Sequence, residues 1–275
     1  MNLFNKISDF KFHLESEEKS LATIEKYTRD VSAFCRYISD RGLAKNEVIE
    51  YKKKISCEYA PASINSMLIS INSFLRFLKR DDCCVKLLKI QRQIFANEDK
   101  ELTKEEYRRL LNASKGTRIG LIIQTICETG IRVSELEYIT VEAVNLGKTT
   151  VECKSKARVI FIPTELRKIL KKYITEANVL SGSVFVSKSG KALNRCNIWR
   201  DMKSLCKKAN VSTDKVFPHN LRHLFARTFY AFERDIVRLA DLLGHSNINT
   251  TRIYTAENGT EHLCSLERLH KRLMT

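Results

Sequence analysis

The sequence predicts a mainly α-helical chain of two domains with one small antiparallel β element. Three observations predict it. Apolar residues recur at helical spacing, as in Ile64, Met67, Leu68, Ile71, Phe74, Leu75 and Leu78. The 275 residues include only 3 prolines and 9 glycines, few helix breakers for that length. Two β-branched runs, 149–153 and 158–162, flank a short basic stretch.

The first hundred residues read as a helical bundle. Ser20 is placed to cap a helix running through Ile24, Tyr27, Val31, Phe34, Tyr37 and Ile38, and Pro61 opens the stripe that begins at Ile64. Shorter helices are expected at about 3–15, 44–54 and 84–94, which makes four or five in all. The polar stretch 96–101 breaks the pattern, and a short extended linker is expected at about 94–101. Thr103 and Glu106 then form a capping box that opens the second domain. Leu121–Cys127 reads as an apolar helix. Residues 149–162 read as a hairpin whose turn is Lys154-Ser155-Lys156-Ala157. Pro163 and Thr164 end the second strand and open a helix through Tyr173. A short strand is expected at 184–186, and helices at about 193–209, 219–232, 235–243 and 248–254. The tail places Leu263, Leu266, Leu269 and Leu273 on one face of an amphipathic helix at about 261–273.

The chain carries 48 Lys+Arg against 32 Asp+Glu, a net charge of +16, which points to a polyanionic partner, nucleic acid first. The excess is uneven. Residues 1–99 hold 17 basic against 14 acidic side chains, and residues 100–275 hold 31 against 18. The 9 cysteines include no Cys-x-x-Cys pair, so they fit small buried side chains in a reducing compartment, and metal spacing is absent. No run of eighteen apolar residues and no signal-peptide core is present, so a cytoplasmic, nucleoid-associated protein without a membrane partner is expected.

The chemistry concentrates in three stretches. They are Thr129-Gly130-Ile131-Arg132-Val133-Ser134-Glu135-Leu136, His219-Asn220-Leu221-Arg222-His223, and Leu242-Leu243-Gly244-His245 with Tyr254 nine residues beyond the histidine. A guanidinium is planar, stays charged and matches two phosphate oxygens, so Arg132 and Arg222 can hold the non-bridging oxygens of a phosphodiester. Two such arginines would stabilise the charge that builds on a pentavalent phosphorus. Tyr254 is a covalent nucleophile in that company, although a free phenol has a pKa of about 10 and must be activated. Glu135 shares a face with Arg132 and either orients the guanidinium, orients a histidine, or makes an ordinary ion pair. His219 lies one helical step before Arg222 and can exchange protons near neutral pH. His223 faces elsewhere on that helix, and a buried, hydrogen-bonded structural role is expected for it.

These three boxes, in this order and at this spacing, resemble the tyrosine recombinases of the phage-integrase and Xer-type class, and the resemblance covers nearly the whole chain. It implies a DNA breaking-rejoining enzyme fold: a helical core-binding domain over 1–95 and a catalytic domain over 101–275 that clamp duplex DNA. It makes Tyr254 the nucleophile, Arg132 and Arg222 the phosphate clamp, His219 an acid/base group and His245 a phosphate hydrogen-bond donor. The family carries its catalytic lysine in a Gly-Lys-Gly-x-Lys-x-Arg turn. The stretch Cys153-Lys154-Ser155-Lys156-Ala157-Arg158 lacks both glycines and is one residue shorter. Lys154 matches best, with Lys156 as the alternative. The resemblance further implies no cofactor and no metal. The implied partners are double-stranded recombination sites, three further copies of the chain in a tetrameric synapse with the tail helix exchanged between protomers, and a directionality factor.

Core-binding helices are expected from the first residues on, and no arm-binding domain is expected ahead of them. Ala256 stands where Xer-type proteins carry a histidine two residues after the nucleophile. With the altered lysine turn, this favours integration or excision of a mobile element over Xer-type dimer resolution. Two other classes share the features: a type IB topoisomerase, and a DNA-binding relic of the fold without catalysis. The core-binding and tail helices argue against the first, and the full set of polar groups argues against the second.

Overall fold

The computed structural model describes residues 3–39, 41–90, 98–153, 156–187, 190–191, 193–245, 247–254, 267 and 269–274. By internal packing the chain divides into two compact units, Met1–Arg92 and Gln93–Thr275.

Among its described residues the first unit is built from α1 (Asn5–Ser16), α2 (Leu21–Ile38), α3 (Lys45–Glu58) and α4 (Pro61–Phe77). Pro61 takes the first turn of α4, where its missing N–H costs nothing. Ser20 stands at the N-cap of α2 with extended backbone, but its hydroxyl pairs with Thr23 Oγ1 at 2.9 Å instead of capping a backbone N–H. Phe34, Ile38, Tyr51, Leu68 and Leu75 join α2, α3 and α4 in one core cluster. Phe10, Leu14, Val31 and Phe74 fix α1 against α2 and α4 in another. A polar group is sealed between α2 and α4: Asp30 is buried and accepts from Lys26 Nζ at 2.7 Å and Ser70 Oγ at 2.9 Å.

The expected helix at 84–94 does not form over its described part. After a 3-10 turn at Asp81–Cys83 the chain runs without helix to residue 90. Its backbone is held by side chains of α4. Asn72 accepts from Val85 N–H at 3.0 Å and donates to Val85 O at 2.8 Å. Asn65 does the same for Leu88, at 2.7 and 2.9 Å. Val85 and Leu88 thus satisfy their backbone groups without i to i+4 bonds. Of the expected linker, 94–97 lie outside the described residues, and Glu98–Lys100 is a 3-10 turn where extended chain was expected.

The second unit contains α5 (Lys104–Ala113), α6 (Arg118–Thr129), α7 (Val141–Leu146), β1 (Lys148–Cys153), β2 (Lys156–Phe161), α8 (Thr164–Glu176), α9 (Arg195–Ala209), α10 (Pro218–Glu233), α11 (Ile236–Leu243) and α12 (Ile248–Thr251). The capping box of α5 is present in both directions: Glu106 N–H donates to Thr103 Oγ1 at 3.1 Å, and Thr103 N–H donates to Glu106 at 2.8 Å. One large core, with Leu110, Ile126, Val144, Leu166, Met202 and Leu221, gathers α5 to α10 and the hairpin, while Leu239 and Leu243 of α11 belong to a smaller separate cluster. β1 and β2 pair antiparallel from Lys148↔Phe161 to Cys153↔Lys156. Lys156 and Ala157, expected in the turn, therefore belong to β2, because the ladder runs further than the β-branched residues alone suggest. Lys154 lies outside the described residues. No strand forms at 184–186. Instead Ser183 makes an isolated bridge to Thr140, and Val184 N–H donates to Ile139 O at 2.8 Å.

Of the expected tail helix, residues 267 and 269–273 are helical and the rest lies outside the described residues. Leu269, Leu273 and Met274 are exposed in the single chain. No described helix is long and apolar enough to cross a membrane.

Candidate active site

Four segments meet in the second unit. The first is the end of α6. Gly130 caps it in the left-handed conformation at φ +64°, and a Cβ there would stand 2.5 Å from the Phe225 ring. Glycine is required on both counts. The chain then turns so that Arg132 leads a 3-10 helix, Val133–Tyr138. Glu135, buried, folds back on it. Its carboxylate accepts from Arg132 N–H at 2.7 Å and from the Arg132 guanidinium at 2.8 Å. Glu135 therefore orients the arginine, one of the roles open to it from sequence. Burial pushes the carboxyl up, but the Arg132 N–H and the Arg158 and Arg132 charges outweigh it and hold Glu135 below the ordinary carboxylate range.

The second segment is α10, whose spacing sets His219, Arg222 and His223 on adjoining faces. Arg222 is 2% exposed. It donates to Gly130 O, to Leu243 O at 2.6 Å, and contacts His245 Nε2 at 3.2 Å. Burial, then the charges of Arg132 and Arg158, bring its pKa down to about 10, so it stays a cation at neutral pH. His219 is the most open of the site histidines and packs against the His223 ring at 4.5 Å between centroids. Lost hydration, followed by the charges of Arg222, Arg132 and Arg195, lowers its pKa. His223 presents its ring edge-on to Tyr254 at 4.8 Å, so it faces the site, where the sequence placed it elsewhere on the helix, because a residue one turn after His219 shares that face. Its Nε2 is buried without a hydrogen-bond partner among the described residues, so the expected hydrogen bond at that atom is not found there. Burial first, then the positive neighbours, push His223 down to about 4.

The third segment is the end of α11, where Gly244 closes the helix in the left-handed conformation and releases His245. An arginine only donates, so His245 Nε2 accepts from Arg222. The proton then sits on Nδ1, which donates to Thr251 Oγ1 at 2.9 Å. Donation from His245 to a phosphate, which the resemblance implies, needs a proton on Nε2 and the Arg222 contact opened, because Nδ1–H is held by Thr251. Burial, then the charges of Arg222, Arg132 and Arg158, bring His245 to about 4.

The fourth segment is α12 with the 3-10 turn Arg252–Tyr254. The Tyr254 ring is 5% exposed, stacks 6.0 Å from His245 and joins Ala226, Leu239 and Leu243 in a small apolar cluster. The cluster does not lower its pKa on balance, contrary to the expected activation. Burial raises it more than the charge and hydrogen bond of Arg222 and the charge of Arg132 reduce it.

Two contributors escaped the sequence reading. Arg158 on β2 pairs with Glu135 and donates to Leu242 O. Thr251 fixes the His245 tautomer. Only the place of Arg158 in the basic turn motif signalled it, and no spacing rule signalled Thr251. The structure brings Arg132, Glu135, His219, Arg222, His223, His245 and Tyr254 together. Lys154 is outside the described residues, and Lys156 lies on β2, two residues from Arg158. The Arg132 and Arg222 cations beside a buried phenol and neutral imidazoles, with Arg158 behind Glu135, form a pocket suited to an anionic phosphate.

Comparison with known proteins points the same way. Residues 100–261 match the phage integrase family, and residues 7–82 match the phage integrase N-terminal SAM-like domain. The chain is 31% identical to the tyrosine recombinase XerA of Thermococcus kodakarensis, covering 94% of this chain and 92% of that protein. It is 27% identical to the tyrosine recombinase XerD of Oceanobacillus iheyensis, covering 90% and 92%. Its fold is similar to that of a lambda integrase fragment dimer bound to a core site, with a TM-score of 0.76 at 18% identity over 94% of this chain and 97% of that one. The chain belongs to the phage integrase family, the tyrosine recombinases.

Proposed function

We propose that this protein is a site-specific DNA recombinase that cleaves and rejoins strands through a 3′-phosphotyrosyl intermediate, with Tyr254 as nucleophile. The observation that carries the reading is the convergence on Tyr254 of the imidazoles of His223 and His245 and the charges of Arg222 and Arg132. The residues come from four segments and assemble one anion pocket beside one phenol.

In the proposed step, Tyr254 Oη attacks the scissile phosphorus while Arg132 and Arg222 stabilise the equatorial oxygens. The phenol proton passes to His219, which is neutral at pH 7 because its pKa is depressed. The bond from phosphorus to O5′ breaks, and Lys154, with Lys156 as alternative, supplies the proton of the departing 5′-hydroxyl. A 5′-hydroxyl of the partner strand then attacks the phosphotyrosine and restores the phenol. Two such rounds pass through a Holliday junction. The tyrosyl link retains the phosphodiester energy, so the exchange needs no ATP. Residues 1–95 serve as core-binding domain and 101–275 as catalytic domain, and four copies exchanging tail helices form the working unit.

The biological role we assign is integration or excision of a mobile element, on the altered lysine turn and Ala256. Dimer resolution is the second reading, and the XerA and XerD names of the two relatives favour it. A duplex that the protein selects from a random-sequence pool separates them. Its sequence will occur at the ends of an element or at a single chromosomal locus.

The chemistry is tested with that duplex nicked as a suicide substrate and run on a denaturing gel. The wild-type protein is expected to form a covalent adduct and Tyr254→Phe none. Tight binding without an adduct would sink the enzyme reading and leave a DNA-binding relic.

A further inference from the structure

Three consecutive carbonyls end α11, and each accepts from a different arginine. Leu242 O takes Arg158, Leu243 O takes Arg222 at 2.6 Å, and Gly244 O takes Arg132 at 3.4 Å. These are carbonyls the helix itself cannot satisfy, and they form its negative pole. Arg132 and Arg222 already have places in the reaction. Arg158 has none, yet its side chain is only 10% exposed.

We propose that Arg158 is a positioning residue, which locks Glu135 against Arg132 and ties β2 to the end of α11, so that Arg132 and His245 meet the phosphate in register. The inference rests on the phosphodiester-cleavage reading of this site.

Three observations carry it. Glu135 Oε2 accepts from both Arg158 and the Arg132 backbone, while Oε1 accepts from the Arg132 guanidinium at 2.8 Å. One buried carboxylate thus aligns the two arginines. Arg132 keeps 35% of its side chain exposed, against 10% for Arg158, so Arg132 is the one open to a substrate. Gly244 supplies the space. A Cβ at that position would overlap the aliphatic stem of Arg158. The next residue is His245, so Arg158 braces the base of that imidazole as well as the Glu135 side of Arg132. A lysine could serve Glu135 or Leu242 O but lacks the fork to hold both. Loss of Arg158 leaves the part-buried Leu242 carbonyl without its arginine and lets Glu135, and with it Arg132, shift. Displacements of about 1 Å in a reacting group cost on the order of 100-fold in rate.

The test uses the full-length protein and the selected suicide duplex in two forms, one with an ordinary scissile phosphate and one with a neutral methylphosphonate there. The neutral group has no anionic oxygen for Arg132 to hold. Arg158→Met and Arg158→Lys are each compared with wild type for adduct rate, DNA affinity and melting temperature. On the ordinary phosphate both variants are expected to fall roughly 10- to 100-fold in adduct rate with DNA affinity retained. On the methylphosphonate the gap to wild type is expected to shrink to a few-fold. A wild-type rate in Arg158→Met, or an equal loss on both substrates, overturns the proposal. Full rescue by Arg158→Lys overturns it too, because a point charge would then suffice. An absent wild-type adduct, or an adduct in Tyr254→Phe, overturns the cleavage reading itself, and the role of Arg158 with it.

Discussion

At neutral pH His223 and His245 are uncharged, and burial is the first cause for both. Each has a folded pKa near 4, below the ordinary value of about 6.5. The unfolded chain therefore binds these protons more readily than the folded one. Their contribution to stability is full above about pH 6.5 and is lost as pH falls toward 4. The melting temperature is expected to drop over that window. In His223→Leu the drop should be shallower, because one of the histidines with a lowered pKa no longer titrates; differential scanning fluorimetry at stepped pH reads this directly. An identical slope in the variant would mean that His223 charges freely in the folded state. Arg132, Glu135, His219, Arg222, His223, His245 and Tyr254 stood out in the sequence through their residue types and the resemblance of their stretches to the tyrosine-recombinase boxes, and the fold brings them together. Arg158 was not, since its partners are an acid 23 residues away and a carbonyl 84 residues away. The direction of the Tyr254 shift was not legible either. Charges can be counted along a chain, but the burial that outweighs them depends on the packed fold.

Elements were legible where one periodicity ruled. α2 and α4 follow their apolar stripes almost to the residue, and the Thr103–Glu106 box opens α5 as its residues require. The failure at 84–94 has a physical cause. Val85, Leu87 and Leu88 look like part of a helix face, but Asn65 and Asn72 of α4 pair both backbone groups of Leu88 and of Val85 without one. Asparagine side chains that stand in for a neighbouring strand leave no periodic trace. Asn72 is buried and both of its bonds go to Val85. Asn72→Ala should destabilise the first unit by about 1–3 kcal/mol, because it strands two backbone groups out of water. Urea unfolding of the full chain, followed by a probe on residues 1–92, is the measurement. A change within about 0.5 kcal/mol would show that water replaces the asparagine at no cost.

For the molecule as a whole, charge is the legible property and its distribution the informative one. Of the net +16, most lies in residues 100–275, the half that also carries the arginine cluster. Contacts with phosphate release counterions, so affinity for duplex DNA should fall linearly on a plot of log K against log salt. With roughly 6–10 phosphate contacts the loss between 50 and 200 mM salt is on the order of 10³- to 10⁵-fold. Fluorescence anisotropy over that range reads the slope. A nearly flat line would show that the basic surface faces something other than a nucleic-acid backbone.

The three carbonyls at 242–244 have a consequence for the timing of synthesis. A ribosome makes Arg132, Arg158 and Arg222 112, 84 and 21 residues before the carbonyls that anchor them. A nascent chain short of residue 242 has all three cations but no helix end to gather them, and no tyrosine to aim. On the recombinase reading, the capacity to break a chromosome therefore arrives in one late step. On that reading the chain becomes armed only once α11 and the following turn that carries Tyr254 have both emerged and docked.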